Sequence, residues 1–121
     1  MTEMPADHRL IAAKTRLDTL PYYPRRVEID RVRLVVAPAV FTLPWLRRFD
    51  GWATHRAIFL RRPELLDDSD LITHELCHVW QMQHRPVRMP WSYLFSYQGN
   101  PYELQARRAA AVSRPQPGSR P

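Results

Sequence analysis

Apolar residues first recur at helical spacing. Leu10, Ala13, Leu17 and Leu20 stand three or four positions apart, and Pro5 is tolerated in a first turn, so a helix is predicted from Pro5 to about Leu20. Pro21 and Pro24 end it, with Tyr22 and Tyr23 between them. From Val27 the pattern turns to alternation, Val27 and Ile29 and then Val32 and Leu34 set against Arg31 and Arg33. It closes in the run Leu34-Val35-Val36, which predicts a strand over Val27–Ala37 with one covered face. Pro38 to Gly51 gives no clear period, because Pro44 opposes a central strand and Asp50-Gly51 signals a turn. A further strand is predicted over Trp52–Leu60, ending before Pro63.

The next stretch carries the strongest helical signal. Asp67, Asp68, Ser69 and Asp70 offer caps and acids suited to a helix N-terminus, and LITHELCHVWQMQH then runs free of Gly and Pro until Pro86. Ile72, Leu76, Val79 and Trp80 mark its buried side. A proline-marked connection follows from Arg85 to Asn100, with a short helical or extended piece around Trp91–Tyr97. Asn100-Pro101 reads as a cap with proline at the first helical position, opening a last helix through YELQARRAAAV. These elements make an α+β chain: an N-terminal helix, a small sheet of about three strands, and two further helices. One domain is expected over 1–113, with 114–121 a disordered tail.

Composition narrows the picture in three ways. The net charge is +6, and lysine occurs only at Lys14, so every other basic residue is arginine. The arginines fall in scattered pairs (Arg25-Arg26, Arg47-Arg48, Arg61-Arg62, Arg107-Arg108) and not in a dense stripe, which describes a solvated basic surface. Such a surface favours acidic partners, and nucleic-acid association rests on this charge alone. The single cysteine, Cys77, excludes an intramolecular disulfide and reads as a small buried thiol. No apolar run is long enough to span a bilayer, so no membrane partner is expected. The opening MTEMPADHRL is polar and acidic, unlike a signal peptide, and a cytoplasmic location is expected.

The chemistry concentrates in His74-Glu75-Leu76-Cys77-His78. On a helix, residues four apart share a face, so two imidazoles can converge on one metal ion, most simply Zn2+. Glu75 is rotated by about 100° from His74, which places its carboxylate beside the metal rather than on it, as a general base requires. A catalytic zinc needs a third protein ligand. His84 lies roughly two turns along and about 120° away from the direction of His78, too far round to reach the same ion. Glu103 on the last helix is the remaining candidate, since Ala106 and Ala110 would allow close helix approach. Asn100-Pro101-Tyr102-Glu103 also fits a capping box, in which the glutamate serves the backbone instead, and the residue pattern alone leaves both roles open. Three other residues have a site role to set beside a packing role. His55 is either at the rim of a cleft or a surface histidine of the sheet. Tyr97 and Tyr102 either donate to an oxyanion or pack against Trp80 and Trp91.

HELCHVWQ followed by NPYELQARRAA resembles the gluzincin clan of metallopeptidases, and within it the small single-domain minigluzincin-like proteins. The resemblance covers residues 27 to 111 in order of elements, and it is specific in the two quoted segments. It implies a zincin-like fold, zinc ligands His74, His78 and Glu103, and Glu75 as the base. It also implies that GWATHRAIFL is a strand at the rim of a cleft that takes an extended peptide. Gluzincins often carry an Asn-Glu pair on the glutamate helix, whereas Asn100 here stands three residues before Glu103. HELCH is also similar to SprT-like proteases, but those use a further histidine and often a cysteine-rich ribbon. The expected function is zinc-dependent hydrolysis of peptide bonds in a peptide or protein substrate. The alternatives are a non-catalytic or latent zinc module within a larger assembly, and a nucleic-acid-associated SprT-like protease.

Overall fold

In the computed structural model, residues 7–86, 89–90 and 100–114 are described. Helix α1 spans His8–Leu17 and starts at Asp7, whose side chain accepts from the Arg9 amide. It stops short of the expected Leu20: Asp18 caps it, and Leu20 continues into the loop while still packing on the core.

The predicted strand over Val27–Ala37 shrinks to β1, Arg33–Val36. Val27, Ile29 and Val32 are buried as their alternation suggests, but a turn at Asp30 and Arg31 breaks the extended chain. Side chains of other elements take the hydrogen bonds that a strand neighbour would supply. The Gln83 amide accepts from the Glu28 N–H at 3.0 Å and donates to its carbonyl at 2.8 Å. Lys14 donates to the Val27 carbonyl, and the Trp80 indole to that of Arg25. Backbone groups without a strand neighbour take other partners, and a glutamine amide serves as well as a strand edge.

The single strand predicted over Trp52–Leu60 is instead a hairpin, with β2 at Gly51–Ala53 and β3 at Ala57–Leu60. Its turn contains neither glycine nor proline. Thr54 closes it, donating from its amide to the Ala57 carbonyl at 2.7 Å and accepting at Oγ1 from the Ala57 amide at 3.0 Å. The sheet order is β1-β3-β2, with β1 parallel to β3 (Arg33 opposite Ala57) and β2 antiparallel to it (Gly51 opposite Leu60). Short 3-10 turns, each begun by a proline, cover Pro38–Thr42 and Pro63–Asp67.

Helix α2, Ser69–His84, lies between α1, the sheet and α3, Pro101–Val112. Asp68 caps it by accepting from the Leu71 amide. Leu10 and Leu17, Ile58 and Leu60, and Leu76, Val79 and Trp80 fill the shared core. Tyr22 and Tyr23, the pair between the two prolines, pack their rings on Trp80. Ala106 and Ala109 are fully buried and bring α3 close against α2. The resulting architecture is α+β: three helices and a small mixed sheet of three strands among the described residues. Trp91–Tyr97 and the segment 115–121 lie outside them; Arg114, at the start of the expected tail, pairs with Asp70 at 2.7 Å. Among the described residues no helix is long and apolar enough to cross a membrane.

One buried cation ties the helices together. Arg16 of α1 is 8% exposed and donates to Ser69 Oγ (2.7 Å), Asp70 Oδ1 (2.9 Å), the Ala110 carbonyl (2.6 Å) and Ser113 Oγ (3.3 Å). Burial opposes ionisation of Asp70, yet hydrogen bonds from Arg16 and Arg114 outweigh it and hold the carboxyl below the usual aspartate value. Arg16→Met should therefore lower unfolding stability by about 1–3 kcal/mol in urea titrations, because it leaves the Ala110 carbonyl without this donor and removes one of the two arginines on Asp70. The part carried by Asp70 is complete above the unfolded aspartate value of about 3.9 and is lost as pH falls through the depressed folded value.

Candidate metal centre

The site forms where α2 faces the first turn of α3. His74 and His78, four residues apart on α2, present their rings to the same side with centroids 4.9 Å apart. Glu103 enters from α3: Oε2 lies 3.1 Å from His74 Nε2, and Oε1 lies 2.9 Å from His78 Nε2. Asn100 does the capping itself, its side chain accepting from the amides of Tyr102 and Glu103. The Glu103 carboxylate is directed at the two histidines and at Arg107. One ligand atom from each of His74, His78 and Glu103 lies within 4.8 Å of the others, a group that can hold a metal ion.

A fully buried glutamine sets the chemistry of this group. Gln81 donates from Nε2 to the Tyr102 carbonyl (2.7 Å) and to Gln105 Oε1 (2.9 Å), so its own Oε1 must be the acceptor facing His78 Nδ1 at 2.8 Å. His78 Nδ1 consequently carries a hydrogen, and the lone pair of the neutral ring sits on Nε2, directed at Glu103. A lone pair and a carboxylate oxygen 2.9 Å apart repel unless a proton or a cation stands between them. Fixing one imidazole nitrogen so that the other can ligate is a recurrent way of supporting a metal. Gln105 Oε1 also accepts from the Tyr23 hydroxyl, which extends the network to the loop after α1. Burial chiefly pushes that phenol up to about 12. On the other side, Arg107 Nε donates to Glu103 Oε2 at 2.9 Å.

Protonation follows from this geometry. Burial opposes ionisation of Glu103, but hydrogen bonds from His74 and His78 outweigh it and hold the carboxyl far below its usual range. Burial likewise disfavours the His78 imidazolium, and the bond to Glu103 more than reverses that. Glu75 takes a different direction: burial dominates and raises its pKa, against the opposing pull of His78 and His74. Its carboxylate packs under β2, where a Cβ added to Gly51 would stand 3.1 Å from Glu75 Cγ and 3.2 Å from Oε2.

Glu75, His78 and Glu103 line a cleft of about 250 Å3, whose remaining lining is mostly apolar, including Phe49, Trp52, Met82 and Met89. His55 also lines it, from the exposed turn between β2 and β3. Tyr102 is half-buried on α3, gives its carbonyl to Gln81 and is not among the lining residues; Tyr97 lies outside the described residues. His84 is turned away as the helical angle requires, stacked on Tyr23 at 4.7 Å with Nδ1 toward the Trp80 carbonyl. Cys77 is buried in the core, and burial raises its thiol pKa. Gln81 and Gly51 were not singled out from the sequence as parts of the site. The one available signal for Gln81 was a polar residue within an apolar helix face, three positions past His78.

Two outcomes test the metal group by competition with a chromophoric chelator. Glu103→Ala, and more mildly Gln81→Leu, should weaken zinc binding, the latter by about 10–100-fold. Zinc affinity of the wild-type chain should also fall as pH falls, because binding displaces the proton held between His78 and Glu103. The raised pKa of His78 places the onset of that fall above the ordinary histidine value of about 6.5. The chain matches no family model, no curated protein and no solved structure, so its functional reading rests on the geometry of this centre.

Proposed function

We propose that the chain is a zinc-dependent peptidase of zincin-like fold, with His74, His78 and Glu103 as ligands and Glu75 as general base. The observation that carries this reading is that Glu75 lines a single cleft together with His78 and Glu103, two of the three residues able to hold a metal ion. Two imidazoles and one carboxylate are the donor set of many catalytic zinc sites, which keep one position open. Once bound, zinc would supply Lewis acidity to a substrate carbonyl and to water.

The remaining work belongs to this chain's own residues. Glu75 sits beside the ligand group without facing Glu103 in a hydrogen bond, so its carboxylate is available to a water in the cleft. It accepts the proton of that water as the oxygen attacks the scissile carbonyl carbon, then delivers it to the departing amide nitrogen. Burial favours its protonated form, which suits a group that must both take and return a proton. Gly51 holds β2 close enough to fix the carboxylate from above, and the apolar walls limit competing water. His55, on the hairpin turn, is placed to contact substrate at the rim.

A glutamate-ligand centre fits better than a SprT-like one, since His84 is directed elsewhere. A structural role is favoured by one fact, that the ligands join α2 to α3, so a bound ion would also staple the helices. The open cleft beside Glu75 favours catalysis.

Glu75→Gln should retain zinc while hydrolysis of a quenched-fluorescence peptide library falls by about 10²–10⁴-fold. Undiminished cleavage in that variant refutes the mechanism. Gly51→Ala should leave zinc binding near wild type and lower kcat, because the added methyl displaces the Glu75 carboxylate by a few tenths of an ångström. A chain that binds zinc, unfolds on its removal and cleaves nothing is a structural module instead.

A further inference from the structure

Between the first 3-10 turn and β2 the chain carries apolar surface that the core does not use. Trp45 is 62% exposed and Leu43 is 43% exposed, on either side of Pro44. Tryptophan is normally well buried, and clustered exposed apolar side chains mark interaction sites. This loop is held firmly. Leu46 and Phe41 anchor it inward at 2% and 1% exposure. Arg61, just after β3, donates to the carbonyls of Phe49 and Arg47 and lays its guanidinium 5.1 Å over the Phe41 ring. Leu43 and Trp45 therefore point outward from an anchored segment.

The exposed indole is the outer end of an aromatic ladder. Trp45 meets Trp52 edge-on at 6.0 Å, and Trp52 tilts against Phe49 at 5.3 Å. Trp52 and Phe49 line the cleft that holds Glu75, His78 and Glu103. The ladder thus runs without a break from open surface into the candidate site. Its flank is basic: Arg47 and Arg48 are exposed, and the nearby acid Asp50 is already paired with Arg61 and Arg62.

We propose that this surface docks an acidic polypeptide segment bearing a large apolar side chain. The apolar group packs on Trp45, acidic neighbours meet Arg47 and Arg48, and the segment continues past Trp52 into the cleft. Taking that segment as substrate rests on the peptidase reading; the docking does not. A polypeptide fits better than a nucleic acid, because the inner end of the path is lined mainly by apolar side chains, Met82, Met89 and Pro90 among them, which an apolar peptide side chain can cover and a phosphate chain cannot. It fits better than a bilayer, which would engage Leu43 and Trp45 but not the ladder's inner end.

The test uses the full chain carrying Glu75→Gln, so that cleavage does not intrude. The probe is a fluorescein-labelled peptide with one phenylalanine among glutamates, followed by fluorescence anisotropy. Binding is expected, and Trp45→Ala and Arg47→Glu should each weaken it by about tenfold. Arg47→Glu should also improve binding of the same peptide made with lysines, a reversal that loss of folding would not produce. Three results overturn the proposal: glutamate-peptide binding unchanged in both variants, tighter Trp45-dependent binding to phosphatidylserine vesicles or an oligothymidylate, or self-association of the chain through Trp45. Docking without cleavage of any peptide by the wild type keeps this surface and removes the peptidase reading. Cleavage without Trp45-dependent docking does the reverse.

Discussion

A carboxylate that is 2% exposed at the junction of two helices must have positive or proton-donating partners, or it will not stay ionised. Glu103 meets this demand with His74, His78 and Arg107, and much of the local structure follows from it. The histidines have to lie four apart on one face of α2. The start of α3 has to be fixed in register against them, which Asn100 does by capping and Gln81 by bonding to the Tyr102 carbonyl. Small residues have to follow on the buried side of α3, and Ala106 and Ala109 are there. A centre able to hold a metal and a tight helix–helix junction are here the same solution to one electrostatic problem.

The two buried carboxylates of the site have been pushed in opposite directions by what surrounds them. Glu103 sits among donors and stays ionised, whereas Glu75 has the underside of β2 and apolar neighbours, and burial favours its protonated form. That divergence separates a group suited to hold a cation from a group suited to exchange a proton. It depends on a strand as much as on the helix, because Gly51 of β2 provides the close cover over Glu75. The short sheet therefore belongs to the site and is more than a support for the helices.

What could be read in advance divides along physical lines. The helices were legible because caps and period are local: Asn100-Pro101, the acids before Leu71, and the proline-free run through His84 each report on a few neighbouring residues. The shared face of His74 and His78 was legible for the same reason, as was the turning away of His84. Strand pairing was not legible. The alternation from Val27 reported burial correctly, yet Gln83 and Trp80, distant in sequence, supply the partners that turned it into a loop. The hairpin was missed because its turn, Thr54-His55-Arg56, lacks the usual residues and is closed by a threonine hydroxyl. Arg16 and Gln81 were invisible as buried groups, since nothing local says that a polar side chain will meet its partners on another helix.

The separation of His74 and His78 from Glu103 along the chain has a consequence for biosynthesis. His74 and His78 leave the ribosome well before Glu103, which is carried by α3. A nascent chain that has not yet released α3 presents two imidazoles and the exposed side of α2, without the carboxylate that completes the group or the alanines that cover it. A group that needs all three residues is therefore incomplete until α3 docks, and a chain truncated before Asn100 would keep both histidines but lack Glu103.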